Sequence, residues 1–209
     1  MLAEHEIPLI EDGVYNALHF AASPPYAAKA YDRKGMVMLC SSFTKSLAPG
    51  FRVGWVAPGR YYEQVQMLKF INSGGVPELL QLVVAEFLEN GGYERHLRSL
   101  RRTYAHLTDL GQSTIARHFP PGTRATRPSG GFVLWVELPK GCDAVELYGH
   151  AMQERIGFAP GPMFSATGRY PNCLRISCAA PWSPRIEGAL ARLGELAQRL
   201  AARPARQRA

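Results

Sequence analysis

The chain is poor in the residues that staple small extracellular folds or hold metals. Its four cysteines, Cys40, Cys142, Cys173 and Cys178, form no Cys-x-x-Cys pair and have no histidine at ligand spacing. A disulfide framework and a metal site are therefore not expected, and Cys40 and Cys178, set in apolar runs, read as buried thiols. Long hydrophobic runs are missing too. No stretch approaches the ~20 residues of a membrane span, and the opening "MLAEHEIPLIEDG" lacks the basic, apolar and small-residue order of a secretion signal. The expected location is cytoplasmic, with no membrane contact. Acids are in deficit, 17 against 24 lysines and arginines, for a formal charge of +7. Much of the excess lies in "RHLRSLRR" (95–102) and in the tail "ARPARQRA", which read as a solvated helix face and a frayed end. There is no zinc-finger spacing, no helix-turn-helix and no aromatic RNA-binding box. Direct nucleic-acid contact by this chain is not expected.

What is present suits a globular α/β chain, 46% hydrophobic and 20% charged over 209 residues. "IPLIE" (7–11), "MVMLC" (36–40) and "RVGWVA" (52–57) are short apolar runs bounded by turn residues, the pattern of strands buried on both faces. The stretch 12–35, rich in Pro, Ala and Tyr, reads as loop with a short helix. Helical spacing predicts helices over 61–71, 77–90, 92–119, 143–157 and 183–203, the last two starting at Asp143 and at Ser183-Pro184. Alternating "GFVLWVELP" and "CLRISCA" (173–179) read as strands. From about residue 105 the order helix, strand, helix, strand, helix describes a compact α+β lobe. Trp135 and Trp182 are expected in the core or an interface.

In open α/β sheets ligands sit beyond the carboxyl ends of the strands. Asp12 and Tyr15 follow the first run, Ser42 and Lys45 follow the second, and Arg52 opens the third. A carboxylate, a phenol, a hydroxyl, an amine and a guanidinium thus gather at one strand-end crevice. That set suits a phosphorylated, aldehyde-bearing cofactor. An amine can form a Schiff base, a carboxylate can keep a pyridinium nitrogen protonated, and Arg52 with Ser42 can hold a phosphate. Taken singly, the same residues have plainer readings. Lys45 alone is a solvated surface lysine, Asp12 a turn former, and Arg175 a structural ion-pair partner. Ser42-Phe-Thr-Lys45 also fits the Ser-x-x-Lys of penicillin-recognising enzymes, but neither Ser-Asp-Asn nor Lys-Thr-Gly follows.

"EDGVY", "SSFTKSLAPGFRVGW", "RPSGGFVLWVELP", "FAPGPMF" and "NCLRIS" resemble, in that order, blocks of the class I/II pyridoxal-phosphate-dependent aminotransferases. The resemblance is greatest to the aminotransferase-like domain of MocR-type GntR transcription regulators and to 2-aminoadipate-type aminotransferases. It implies pyridoxal 5'-phosphate as cofactor, with Lys45 as the Schiff-base lysine. Asp12 would partner the pyridine nitrogen, Tyr15 the ring hydroxyl, and Ser42 and Arg52 the phosphate. Arg175 would bind the substrate carboxylate. The substrates would be an amino acid and a 2-oxo acid, and the assembly a homodimer.

The fold class implied is α/β, a partial large domain of the pyridoxal-phosphate-dependent transferase type followed by a small α+β C-terminal domain. Residues 1–75 would be the C-terminal part of the cofactor-binding large domain, 76–104 connecting helices, 105–203 the small domain and 204–209 a disordered tail. Gly13 departs from relatives, which commonly carry a second acid or a small side chain there; little effect is expected. The resemblance also implies a glycine-containing phosphate loop, a ring-stacking aromatic and an Asn ahead of Asp12, which only eleven residues precede. The chain is therefore expected to be an N-terminally truncated portion that holds the cofactor weakly. Two readings of function stand side by side. One is an aminotransferase. The other is the effector-sensing, cofactor-binding domain of a regulator without turnover, with a DNA-binding domain upstream in the full-length protein. An inactive truncated product is a third.

Overall fold

The computed structural model describes residues 2–24 and 26–203; the expected tail at 204–209 lies outside them. The chain divides into two compact units, 1–102 and 103–209.

In the first unit β1 (Leu9–Asp12), β2 (Val37–Ser42) and β3 (Gly54–Ala57) form one sheet in that order. β1 and β2 are parallel, with Asp12 opposite Cys40. β3 returns antiparallel, with Gly54 opposite Ser42. The carboxyl ends of β1 and β2 and the amino end of β3 therefore meet at one edge. The apolar runs suggested burial on both faces, but Ile10 is 69% and Trp55 47% exposed. Cys40 is likewise only half-buried. Val56, on the other face of β3 from Trp55, is also exposed, although the composition of these strands suits cover on both faces.

Residues 28–37 are tied down by carboxylates. Glu11 accepts the amides of Ala28 (2.8 Å) and Lys29 (3.0 Å). Asp32 accepts those of Met36 (3.0 Å) and Val37 (2.9 Å) and pairs with the Lys29 ammonium at 2.9 Å. The Val37 amide, then the Lys29 ammonium, hold the Asp32 carboxyl far below the usual carboxylate range. Three helices follow: α1 (Tyr62–Ser73), α2 (Glu78–Glu89) and the 27-residue α3 (Gly92–His118). A small core of Phe43, Val53 and Val84, with Leu47, Phe51 and Tyr93 against it, fixes α2 and the start of α3 to the loop after β2.

The second unit holds a four-stranded sheet of β4 (Arg124–Ala125), β5 (Val133–Glu137), β6 (Ala159–Pro160) and β7 (Cys173–Ser177), in the order β4-β5-β7-β6 and antiparallel throughout. β5 alternates, so Leu134 and Val136 lie fully buried while Trp135 faces the other way. The buried face packs on α4 (Ala144–Gln153) and α5 (Pro184–Ala201) through Leu147, Ala151, Leu190, Leu193 and Ala197. Asp143 caps α4 by accepting the amides of Val145 and Glu146, and Ser183 caps α5 by accepting that of Ile186. Trp182 packs against this core; Trp135 is on the opposite, outer face of the sheet.

Candidate functional site

The edge where β1, β2 and β3 meet carries five of the residues singled out by sequence. Asp12 ends β1, exposed, with its Oδ1 accepting the Val14 amide at 3.1 Å. Gly13 follows because the chain must turn tightly across β2. Its amide reaches Cys40 O at 2.7 Å, and a Cβ there would sit 3.2 Å from the same oxygen. Tyr15 precedes a short 3-10 turn, Asn16–Leu18, anchored by fully buried Leu18. Arg101 holds that turn by donating from Nε to Ala17 O at 2.8 Å.

The loop after β2 is rigid for local reasons. Leu47 and Ala48 donate to Phe43 O (2.8 and 3.1 Å), making a single helical turn over 43–48. Phe43 and Ser46 point inward, at 9% and 1% exposure. Their neighbours Thr44 and Lys45 are thereby turned outward, and Lys45 is exposed. Ser42 donates to Thr44 Oγ1 (2.7 Å), with Val53 O a second acceptor at 3.3 Å, and accepts the Thr44 amide at 3.0 Å. The loop closes with Phe43 N on Val53 O (3.1 Å). Arg52 takes the left-handed conformation, φ 55°, ψ 31°. A non-glycine residue in this region is uncommon and marks a conformation that its surroundings impose. Among the described residues neither Lys45 nor Arg52 has a hydrogen-bond or ion-pair partner.

Three features of this edge carry no sequence signal of their own. Ser41 donates to Gly13 O at 3.2 Å, pinning the ends of β1 and β2 together. Gly54 lets β3 approach, since a Cβ there would be 2.8 Å from Ser41 O. Tyr93 donates to Ser46 across 47 positions of sequence. Beside the edge lies a cavity of about 540 Å³, lined in part by Gly13, Ser41, Ser42, Trp55, Tyr93 and Arg101.

The sixth residue, Arg175, belongs to the second unit. It sits in the middle of β7 on the outer face, opposite Trp135 of β5 and Ala159 of β6. Among the described residues it has no hydrogen-bond or ion-pair partner; its guanidinium carbon lies 4.8 Å from the centre of the Phe164 ring. An unpaired arginine on an open sheet face is available for an anion.

The donor set at the strand edge fits pyridoxal phosphate chemically. An exposed amine suits its carbonyl carbon, an unpaired guanidinium with a neighbouring hydroxyl suits its phosphate, and an exposed carboxylate suits its ring nitrogen. No helix among the described residues is long and apolar enough to cross a membrane.

The profile of the family described as Aminotransferase class I and II matches residues 1–193. An uncharacterized HTH-type transcriptional regulator of Escherichia coli (strain K12), YjiR, is 43% identical over 196 residues, which cover 93% of this chain and 42% of that protein. The 2-aminoadipate transaminase of Thermus thermophilus is 34% identical over 200 residues, 93% of this chain and 50% of that protein. The crystal structure of LysN, an alpha-aminoadipate aminotransferase from Thermus thermophilus, complexed with N-(5'-phosphopyridoxyl)-L-leucine, matches with a TM-score of 0.90 at 32% identity. The match covers 97% of this chain and 53% of that one. The chain spans about half the length of the curated relatives it matches.

Proposed function

This chain belongs to the aminotransferase class I and II family, and from that premise we propose that it carries the lysine-bearing wall of a pyridoxal 5'-phosphate site and serves amino-group transfer between an amino acid and a 2-oxo acid. The observation that carries the reading is Lys45, exposed and unpaired on a turn that Phe43 and Ser46 hold rigid at the shared strand edge. Bound there, the cofactor supplies a carbonyl carbon for an amine and an electron-withdrawing ring beside the reacting bond.

The chain's own residues do the rest. Lys45 Nζ is the amine that would hold that carbon and the base that would move the proton of the substrate α-carbon. Asp12 would keep the ring nitrogen protonated, and Tyr15 would hydrogen-bond the ring hydroxyl. Arg52 and Ser42 would grip the phosphate, for which the Ser42 hydroxyl must give up its bond to Thr44. Arg175 would bind the substrate carboxylate as a planar fork. On this reading residues 1–75 are the C-terminal part of the large domain, 76–104 connecting helices and 105–203 the small domain, in a cytoplasmic homodimer. Exposed apolar side chains on α1 and α2, among them Phe70, Ile71, Leu79 and Leu82, support the dimer.

A second reading is favoured by two HTH-type regulators of Escherichia coli, 43% and 37% identical to this chain. Here the same site senses an amino compound without turnover. One experiment tests the common core. The protein is incubated with pyridoxal phosphate, reduced with borohydride and mapped by mass spectrometry. A pyridoxyl adduct on Lys45 is expected; an adduct on another lysine with Lys45 clean overturns the assignment. A separate, unreduced sample given an amino acid and a 2-oxo acid separates the readings, since only the transferase forms the exchanged products.

A further inference from the structure

The outer face of the second unit's sheet carries an aromatic row that the functional reading leaves unused. Trp135 lies edge-on to Phe164, with ring centres 5.5 Å apart at 73°, and edge-on to Tyr170, 5.5 Å apart at 89°. The guanidinium of Arg175 is over Phe164 at one end of this row, and that of Arg169 is 5.4 Å from the Tyr170 ring at the other. None of the three rings belongs to the core: Phe164 is 42% and Tyr170 40% exposed. The row is nonetheless built firmly. Phe164 ends the 3-10 turn Gly161–Phe164 that follows β6. That turn is pressed onto the next loop so tightly that a Cβ on Gly161 would lie 2.8 Å from Cys173 O and closer still to Tyr170 O. Trp135 is fixed from below by the buried Leu134 and Val136 on either side of it.

We propose that Phe164, braced by Trp135, is a positioning residue for Arg175: it occupies the flat face of the guanidinium and leaves the N–H fork presented to a carboxylate. The inference rests on the reading of Arg175 as the carboxylate-binding residue. A long side chain on an open sheet face, with no carboxylate or carbonyl to hold it, samples many rotamers, and binding must then suppress that freedom. Stacking on an aromatic ring restricts the guanidinium without consuming any of its in-plane donors, which an ion pair would do. Ala159, the neighbour of Arg175 on the β6 side, is too small to cover it. The arrangement selects for a planar, bidentate anion and suits the carboxylate of a 2-oxo or 2-amino acid.

The test is a titration of the 15N-labelled chain with pyruvate, followed by the backbone amides of Arg175 and Ile176. The wild-type chain is expected to give a saturable shift, and Arg175→Ala to abolish it. Phe164→Leu, which keeps apolar bulk and removes the π face, is expected to raise the apparent Kd at least fivefold. Phe164→Tyr is expected to stay within twofold of wild type, a rescue that a merely structural role does not predict. Trp135→Phe, which weakens the brace and keeps Phe164 itself, is expected to fall between them. If Arg175→Ala abolishes binding while Phe164→Leu stays within twofold of wild type, the positioning role is overturned and the reading of Arg175 stands. If the wild-type chain gives no saturable shift, or Arg175→Ala binds like wild type, the carboxylate reading falls and the proposal with it.

Discussion

The Tyr93 phenol donates a 2.7 Å hydrogen bond to the Ser46 hydroxyl and so ties the turn that bears Lys45 to the first turn of α3. Ser46 is 1% exposed, so this bond replaces the water it lost on folding. Burial, the main cause, pushes the Tyr93 pKa up, which keeps the phenol protonated and donating across the neutral range. Tyr93→Phe is expected to lower stability by about 1–2 kcal/mol, because a buried hydroxyl is left without its partner. Ser46→Ala should cost a similar amount, and the double variant less than the sum of the two. Urea denaturation of the four proteins checks this; strict additivity would show that the two hydroxyls are not coupled. The yield of the borohydride-reduced adduct on Lys45 should fall in both single variants, since the turn is no longer held.

Asp32 sets a pH dependence on the start of β2. Its folded-state pKa is depressed, chiefly by the Val37 amide and then by Lys29. A depressed carboxylate contributes its stability above the unfolded value, near pH 4, and loses it as pH falls toward the folded value. Asp32→Asn should therefore have a lower urea midpoint than wild type at pH 6–7, and the gap should close as pH is lowered through 4 toward 2. A gap that stays constant over that range would assign the effect of the variant to geometry rather than charge.

Gly54 is where a single methyl should disturb the candidate site from outside its chemistry. A Cβ at this position meets the Ser41 backbone oxygen at 2.8 Å, and backbone cannot swing aside as a long side chain can. Gly54→Ala is expected to cost about 1–3 kcal/mol, the usual range for overpacking, and to pull Ser41 from Gly13. Thermal melting reads the first effect, and the rate of adduct formation on Lys45 the second. A variant with wild-type melting and wild-type modification would show that β3 need not approach so closely.

Much of this architecture is legible in the sequence because its signals are local. Asp143 and Ser183 announce the starts of α4 and α5, and the runs before Asp12 and Ser42 announce β1 and β2, whose observed limits are shifted by two residues or fewer at each end. The Lys45 loop is legible for the same reason, since Ser42, Lys45 and Arg52 fall within one short block. What escaped was set by pairing across distance. β4 and β6 are two residues each and exist only as partners of β5 and β7. The bonds from Glu11 to Ala28 and Lys29, and from Tyr93 to Ser46, join residues 17 or more positions apart that carry no mutual pattern. Trp135 could be placed on a strand from its alternation, but not on the outer face beside Arg175, because the register of β5 against β7 is a property of the folded sheet.

The thiols should report the integrity of the second unit. Cys178 is buried against α3, close enough that a Cβ on Gly111 would lie 3.0 Å from its sulfur. Burial raises its pKa to about 11, so at pH 8 the nucleophilic thiolate is scarce as well as inaccessible. Cys173 is buried and its pKa raised for the same main reason, whereas Cys40 in the first unit is only half-buried. Brief iodoacetamide treatment of the native protein at pH 8 should therefore label Cys40 ahead of Cys178, and unfolding in urea should bring Cys178 to a comparable rate. Leu134→Ala, which empties a fully buried position at a cost of about 2–5 kcal/mol, should speed Cys178 labelling in low urea by raising the open population. Mass spectrometry of the labelled peptides decides it: equal native rates at Cys40 and Cys178 would contradict the packing of α3 on this sheet.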